Sequence, residues 1–171
     1  MFKKIFVFLL IVLIIIQFIH PKRNRTKEPQ PYAIANLYAP PENVKSILVK
    51  ACMDCHSNNT RYPWYCNFQP FDWWIAKHIR HGKKGLNLDE YTNKSLRYQY
   101  HKLEEIIEQV KEGKMPLNSY LWIHKDAKLT SEEKSALIGW AEAGMDYMKG
   151  KYPPDSLIRK GGAPPQKPPS K

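Results

Sequence analysis

The chain has 171 residues, three cysteines and a formal charge of +11, enough for one small domain with flanking segments. The charge excess sits at the ends: residues 42–150 hold 16 Lys/Arg against 14 Asp/Glu, the first 41 hold six against one, and the last 21 hold five against one. A nucleic-acid-binding domain would carry its excess on the folded face, so no nucleic-acid partner is expected, and basic ends suit anionic lipid or an acidic protein.

Residues 1–20 contain an almost unbroken apolar run, Ile5 to Ile19, preceded by Lys3 and Lys4. It predicts an N-terminal transmembrane helix, although 15 residues is short of the about 20 that a span needs. A cleaved signal peptide is the rival reading, but the only small-residue cleavage pattern, Ala33-Ile34-Ala35, lies far beyond the run. Membrane lipid is therefore an expected partner, through an uncleaved anchor. Residues 21–41 are polar and carry five prolines, which predicts an extended tether.

Residues 42–150 then read as one folded domain. Val44, Ile47, Leu48, Ala51 and Cys52 keep to one face of a helix that starts after Pro40-Pro41. That helix runs into Cys52-Met53-Asp54-Cys55-His56, the C-x-x-C-H signature of c-type haem attachment. Two thiols three positions apart share one turn and can add to the two vinyl groups of a porphyrin. The histidine that follows can bind the iron from the proximal side. A thioredoxin-like pair wants a βαβ context, and no β-rich run precedes Cys52. A zinc site wants two further close ligands, and downstream stand only Cys66 and scattered histidines. Once two thiols hold haem, Cys66 is left over: buried, reactive, or paired between chains.

An aromatic loop follows, Arg61 to Tyr65, in which Pro63 argues against helix. A second helix is predicted from an N-cap at Asp72 to a stop at Gly82. The third carries the stripe Leu96, Leu103, Ile106, Ile107 and Val110 and ends at Gly113. The fourth opens with a capping box, Thr130 to Glu133, buries Leu137, Trp140 and Ala141, and ends at Gly144. No stretch reads as strand, so the fold class is all-α. Residues 151–171 are rich in Pro, Lys and Gly and predict a disordered tail.

Met115 lies on the loop after the third helix, in Lys114-Met115-Pro116, where a thioether can reach the distal iron face. His78 and His124 are the alternatives. Trp64 and Trp74 are candidate haem-pocket walls, because a porphyrin needs flat apolar partners.

Together, a helix into C-x-x-C-H, a Met-Pro loop and a capped last helix resemble a class I cytochrome c. More narrowly, Cys52 to Tyr65, Trp73-Trp74, His78-Ile79, Gly82-Lys83 and Lys114 to Leu117 resemble the bacterial haem-binding domain family of small membrane-anchored proteins. The resemblance spans residues 42–145. It implies one covalent haem c, held by Cys52 and Cys55 with His56 proximal, in a domain on the exported side of the membrane. The expected protein is an inner-membrane, single-pass, periplasmic cytochrome that passes single electrons to unidentified redox partner proteins. A sensor or peroxidase-like protein with an open distal iron is the alternative, and a haem-free thiol or zinc module stands third. Against the exported orientation stand Lys22, Arg23, Arg25 and Lys27 after the apolar run, since basic residues favour the cytoplasmic side.

Overall fold

In the computed structural model, which describes residues 1–158, the regular elements are all helical and the only β pairing among those residues is an isolated bridge between Tyr32 and Glu90. The eight α-helices are α1 (Phe2–Ile16), α2 (Glu42–Ala51), α3 (Met53–His56), α4 (Phe71–Gly85), α5 (Leu96–Lys111), α6 (Asn118–Leu121), α7 (Ser131–Lys151) and α8 (Pro154–Leu157). Short 3-10 turns cover Ile34–Asn36, Trp64–Asn67 and Lys125–Ala127. The chain divides into two compact units, Met1–Tyr91 and Thr92–Lys171.

In the first unit α2 delivers Val44, Ile47 and Leu48 to the interior. The helix breaks at Cys52, whose φ of −123° is outside the helical range, and α3 restarts at once. Tyr65, Cys66, Ile75 and Ile79 form a buried cluster against which Tyr62 and Trp74 pack. Burying each such large apolar side chain contributes roughly 1.5–3 kcal/mol. Helix α4 does not stop at Gly82 but runs on to Gly85, and Asp72 lies inside its first turn rather than capping it.

The second unit packs α5, α7 and α8 together around Leu103, Val110, Leu137, Trp140, Met148 and Leu157. The predicted capping box is present: Glu133 N donates to Thr130 Oγ1 at 3.2 Å and Thr130 N donates to Glu133 Oε2 at 3.0 Å. Gly113 ends the preceding turn with φ +66°, a conformation that costs glycine nothing. Gly144 does not end α7; it is buried inside a helix that continues to Lys151. Within the expected tail, α8 packs on α5 and α7 with Leu157 buried. Residues 159–171 of that tail lie outside the described residues.

The expected transmembrane helix is not found. Helix α1 has 15 residues, about 22 Å of rise against a hydrocarbon core of about 30 Å. Among the described residues no helix is long and apolar enough to cross a membrane. Gln17 caps the end of the run: its Oε1 accepts from Gln69 N at 2.9 Å and its Nε2 donates back to Leu13 O at 3.0 Å. None of the residues of α1 is buried.

The expected tether is likewise bound down along the first unit. Asp72 is fully buried, with His20 Nδ1 2.8 Å from its Oδ2 and Arg23 3.1 Å from its Oδ1. Arg23 also donates to Cys66 O at 2.6 Å. Asn24 donates from its side chain to Ser57 O and Thr60 Oγ1, both at 2.9 Å, and accepts from Lys83 Nζ at 2.6 Å. Removing the carboxylate with Asp72→Ala leaves His20 and the Arg23 guanidinium without their buried partner. It is expected to cost about 2–3 kcal/mol, less than a fully buried pair would because Arg23 reaches water. Limited trypsinolysis at Lys22, Arg23 and Arg25 should become markedly faster in that variant.

Candidate functional site

Cys52 ends α2 and Cys55 lies in α3, three positions on, so both thiols share one side of a single turn, where neighbours at this spacing stand about 5–6 Å apart at Cβ. The turn closes through Cys55 N and His56 N, which donate to Cys52 O at 3.2 and 3.0 Å. Asp54 points inward, where its carboxylate takes a forked pair of 3.1 Å bonds from Arg61 Nε and Nη2. Thr60 donates to Asp54 O at 2.6 Å. The middle of the motif is therefore its structural half and the thiols its chemical half. All three cysteines are free thiols.

His56 Nδ1 lies 2.9 Å from Leu86 O. A carbonyl only accepts, so Nδ1 carries the proton and the Nε2 lone pair is the one suited to a metal. The backbone of His56 is held as well, its carbonyl accepting from Leu88 N at 2.7 Å.

Helix α4 supplies the wall behind this turn. A Cβ on Gly82 would stand 2.6 Å from Cys55 O and 3.1 Å from Cys55 Cβ. Glycine is present there because the backbones of α3 and α4 touch, a demand the sequence did not reveal. Along the same helix His78 donates from Nδ1 to Trp74 O at 2.8 Å, and its ring lies 4.5 Å from the Trp74 ring. Trp74 packs on the buried cluster. Trp64 is one of the most exposed aromatic residues and meets Tyr65 and Phe68 edge-on. Met115 and His124 both belong to the second unit, Met115 in the turn after α5 and His124 stacked on Tyr120 at 4.1 Å.

A model of the haem-binding domain family matches residues 11–143. The chain belongs to the haem-binding domain family. No curated protein and no solved structure matches it. The C-x-x-C-H turn fits the cofactor this family binds. It offers two thiols on one turn, an imidazole whose tautomer is fixed by Leu86, and close backing from α4 at Gly82. Among the described residues no group of three or more His, Cys, Asp or Glu could hold a metal ion, which leaves the zinc reading of the cysteines without its further ligands.

The electrostatics keep the thiols of the haem-binding domain neutral. Burial pushes the Cys52 thiol up to about 12, with Cys55 adding to it, and burial followed by the Asp54 carboxylate pushes Cys55 to about 11. Cys66 is completely buried, and burial raises it to about 11 against the opposing pull of Arg23. Its burial removes the expectation that it pairs chains or reacts. Tyr65 is raised to about 12, again mainly by burial. For Cys66 and Tyr65 the folded pKa exceeds the unfolded one, so the stability they contribute is complete below about 9 and lost as pH climbs towards 11–12. Denaturant midpoints of the haem-free chain should fall over that window, and Cys66 should resist alkylation at pH 8 until the chain is unfolded.

A second feature of the same unit is a cavity of about 730 Å³ between the 21–30 segment and α4. Lys22, Arg23, Arg25, Arg80 and Lys83 make it basic, and burial lowers the Lys83 pKa despite Asp89 and Glu90. It opens on the Ala76, Arg80 and Lys83 side of α4. Gly82 and Lys83 are one residue apart, which turns them about 100° on the helix, so the cavity and the Cys55 contact occupy different faces.

The sequence missed Asn24, Asp72 and Gly82 as organisers of the site. Partners 27 to 59 positions away hold them, and the only local signals are the residue types of an N-cap at Asp72 and of a helix stop at Gly82.

Proposed function

We propose that this chain is a membrane-associated monohaem c-type cytochrome, similar to class I cytochromes c, that carries single electrons on the periplasmic side of the inner membrane. The observation that carries the proposal is the pairing of two free thiols on the α3 turn with a histidine whose Nδ1 is committed to Leu86 O. In this reading Cys52 and Cys55 hold one haem c by thioether bonds and His56 binds iron through Nε2. Bound haem supplies one-electron exchange at iron, and the chain sets its potential and access. The Leu86 carbonyl orients the imidazole and raises its basicity as a ligand.

What supports lipid as a partner is α1, apolar on every side with none of its surface buried in the fold. Its length deficit is of the size that local thinning of a bilayer accommodates. Covalent attachment of this kind is carried out on the exported side, which favours a periplasmic haem unit reached by diffusing redox partner proteins. The test of the whole reading is the full chain produced with c-type maturation machinery and run on a denaturing gel. Haem that stays with the polypeptide supports it; colourless protein overturns it.

Met115 is the proposed sixth ligand, with His124 and His78 as alternatives. Met115→Ala should lower the reduction potential by on the order of 0.1 V or more, within the range over which axial ligands act, and admit carbon monoxide to the iron. A low-spin spectrum unchanged by the substitution would transfer the role to one of the histidines.

A further inference from the structure

We infer that the end of the first unit where α1 joins it is itself a lipid-contact surface, built from Trp64, Phe68, Phe71 and Trp73. These four side chains are 75%, 53%, 49% and 39% exposed. They belong to one patch. Trp64 meets Phe68 edge-on at 6.2 Å and Tyr65 at 6.0 Å, and Tyr65 meets Phe71 at 6.3 Å. Trp73 ties the patch to the chain just past the apolar helix by donating from Nε1 to Ile19 O at 2.9 Å.

Two observations name the bilayer interface as the occupant. The first is continuity: the patch begins where α1 ends, and α1 has no polar face to turn to water and no protein surface covering it. Tryptophan and phenylalanine at such a junction match the preference of aromatic rings for the headgroup level, and Lys22, Arg25 and Lys27 follow at once to meet anionic lipid. The second is the treatment of polar groups. The carbonyl of Ile19, just past α1, accepts from both Gln69 Nε2 at 2.7 Å and Trp73 Nε1. Gln17 and Gln69 bond each other. In water such groups need no protein partner; away from water each must have one. The patch and the C-x-x-C-H turn sit at opposite ends of α4: Asp72 and Gly82 are ten residues, about 15 Å, apart. Contact with lipid at one end leaves the other end free for chemistry.

The inference rests on the reading of α1 as a lipid-embedded helix, and the experiment separates the two. The full haem-loaded chain is partitioned by flotation onto phosphatidylcholine vesicles containing a minority of phosphatidylglycerol. Four forms are compared: wild type, Trp64→Glu/Phe68→Glu, Val49→Glu as an exposed apolar control on α2, and Leu10→Arg/Leu13→Arg in α1. Circular dichroism and haem content verify that each form is folded, and Trp64→Ser alone serves should the double variant not be. A partition coefficient lowered about tenfold or more by Trp64→Glu/Phe68→Glu, with Val49→Glu within about twofold of wild type, is the expected result. Wild-type binding that the patch variants leave unchanged overturns the surface while the α1 reading stands. Wild type that does not bind, or α1 variants that bind equally well, overturns both.

Discussion

Replacing Cys52 and Cys55 together with serine is expected to abolish covalent haem retention completely, the largest single effect the structure predicts. In the proposed attachment each thiol would add across a vinyl double bond, sulfur to one carbon and hydrogen to the other, so no oxidant or reductant would be consumed and a serine hydroxyl would not replace it. The double variant keeps its fold because the residues that hold the turn are Asp54, Arg61 and Thr60, not the cysteines. Each single variant keeps one thioether and should show a haem that survives denaturing electrophoresis but absorbs at the wavelength of a singly attached porphyrin. Haem staining and a pyridine haemochrome spectrum read both results. Retention of covalent haem in the double variant would remove the basis of the proposed function.

Gly82→Ala should be the most damaging conservative substitution in the first unit. The added methyl would meet the Cys55 carbonyl oxygen at 2.6 Å, and that oxygen is backbone, unable to swing away. Relief requires α3 and α4 to separate, at a cost of about 2–3 kcal/mol. Separation also carries Leu86 away from His56, so haem incorporation should drop along with the denaturation midpoint. Gly85, three residues on, has no atom within 4 Å of its missing Cβ. Gly85→Ala is therefore the matched control and should be neutral or slightly stabilising, since alanine costs less in a helix than glycine. Equal behaviour of the two variants would show that the α3–α4 contact is looser than described.

The helices were legible where their signals are local. The capping box at Thr130 lies within four residues, and the apolar stripe of α5 repeats within sixteen. The C-x-x-C-H turn was legible for the same reason, since its chemistry is fixed by five consecutive residues. What escaped is long-range. Proline and charge made residues 21–41 read as tether, yet Asn24 and Arg23 find partners about forty positions away, which composition does not encode. Gly82 carried the residue type of a helix stop and the role of a close contact. The division at Tyr91 also lay inside a stretch, Leu86 to Asn93, with no marked change of composition.

The sealed thiol of Cys66 has a consequence for how the protein matures. Three thiols can close three different disulfides, and two of those would tie a motif sulfur to Cys66. Cys66 is folded away behind Tyr65 and Ile75, whereas Cys52 and Cys55 are only half-buried. The interior of the first unit thus limits which sulfurs the folded chain can pair.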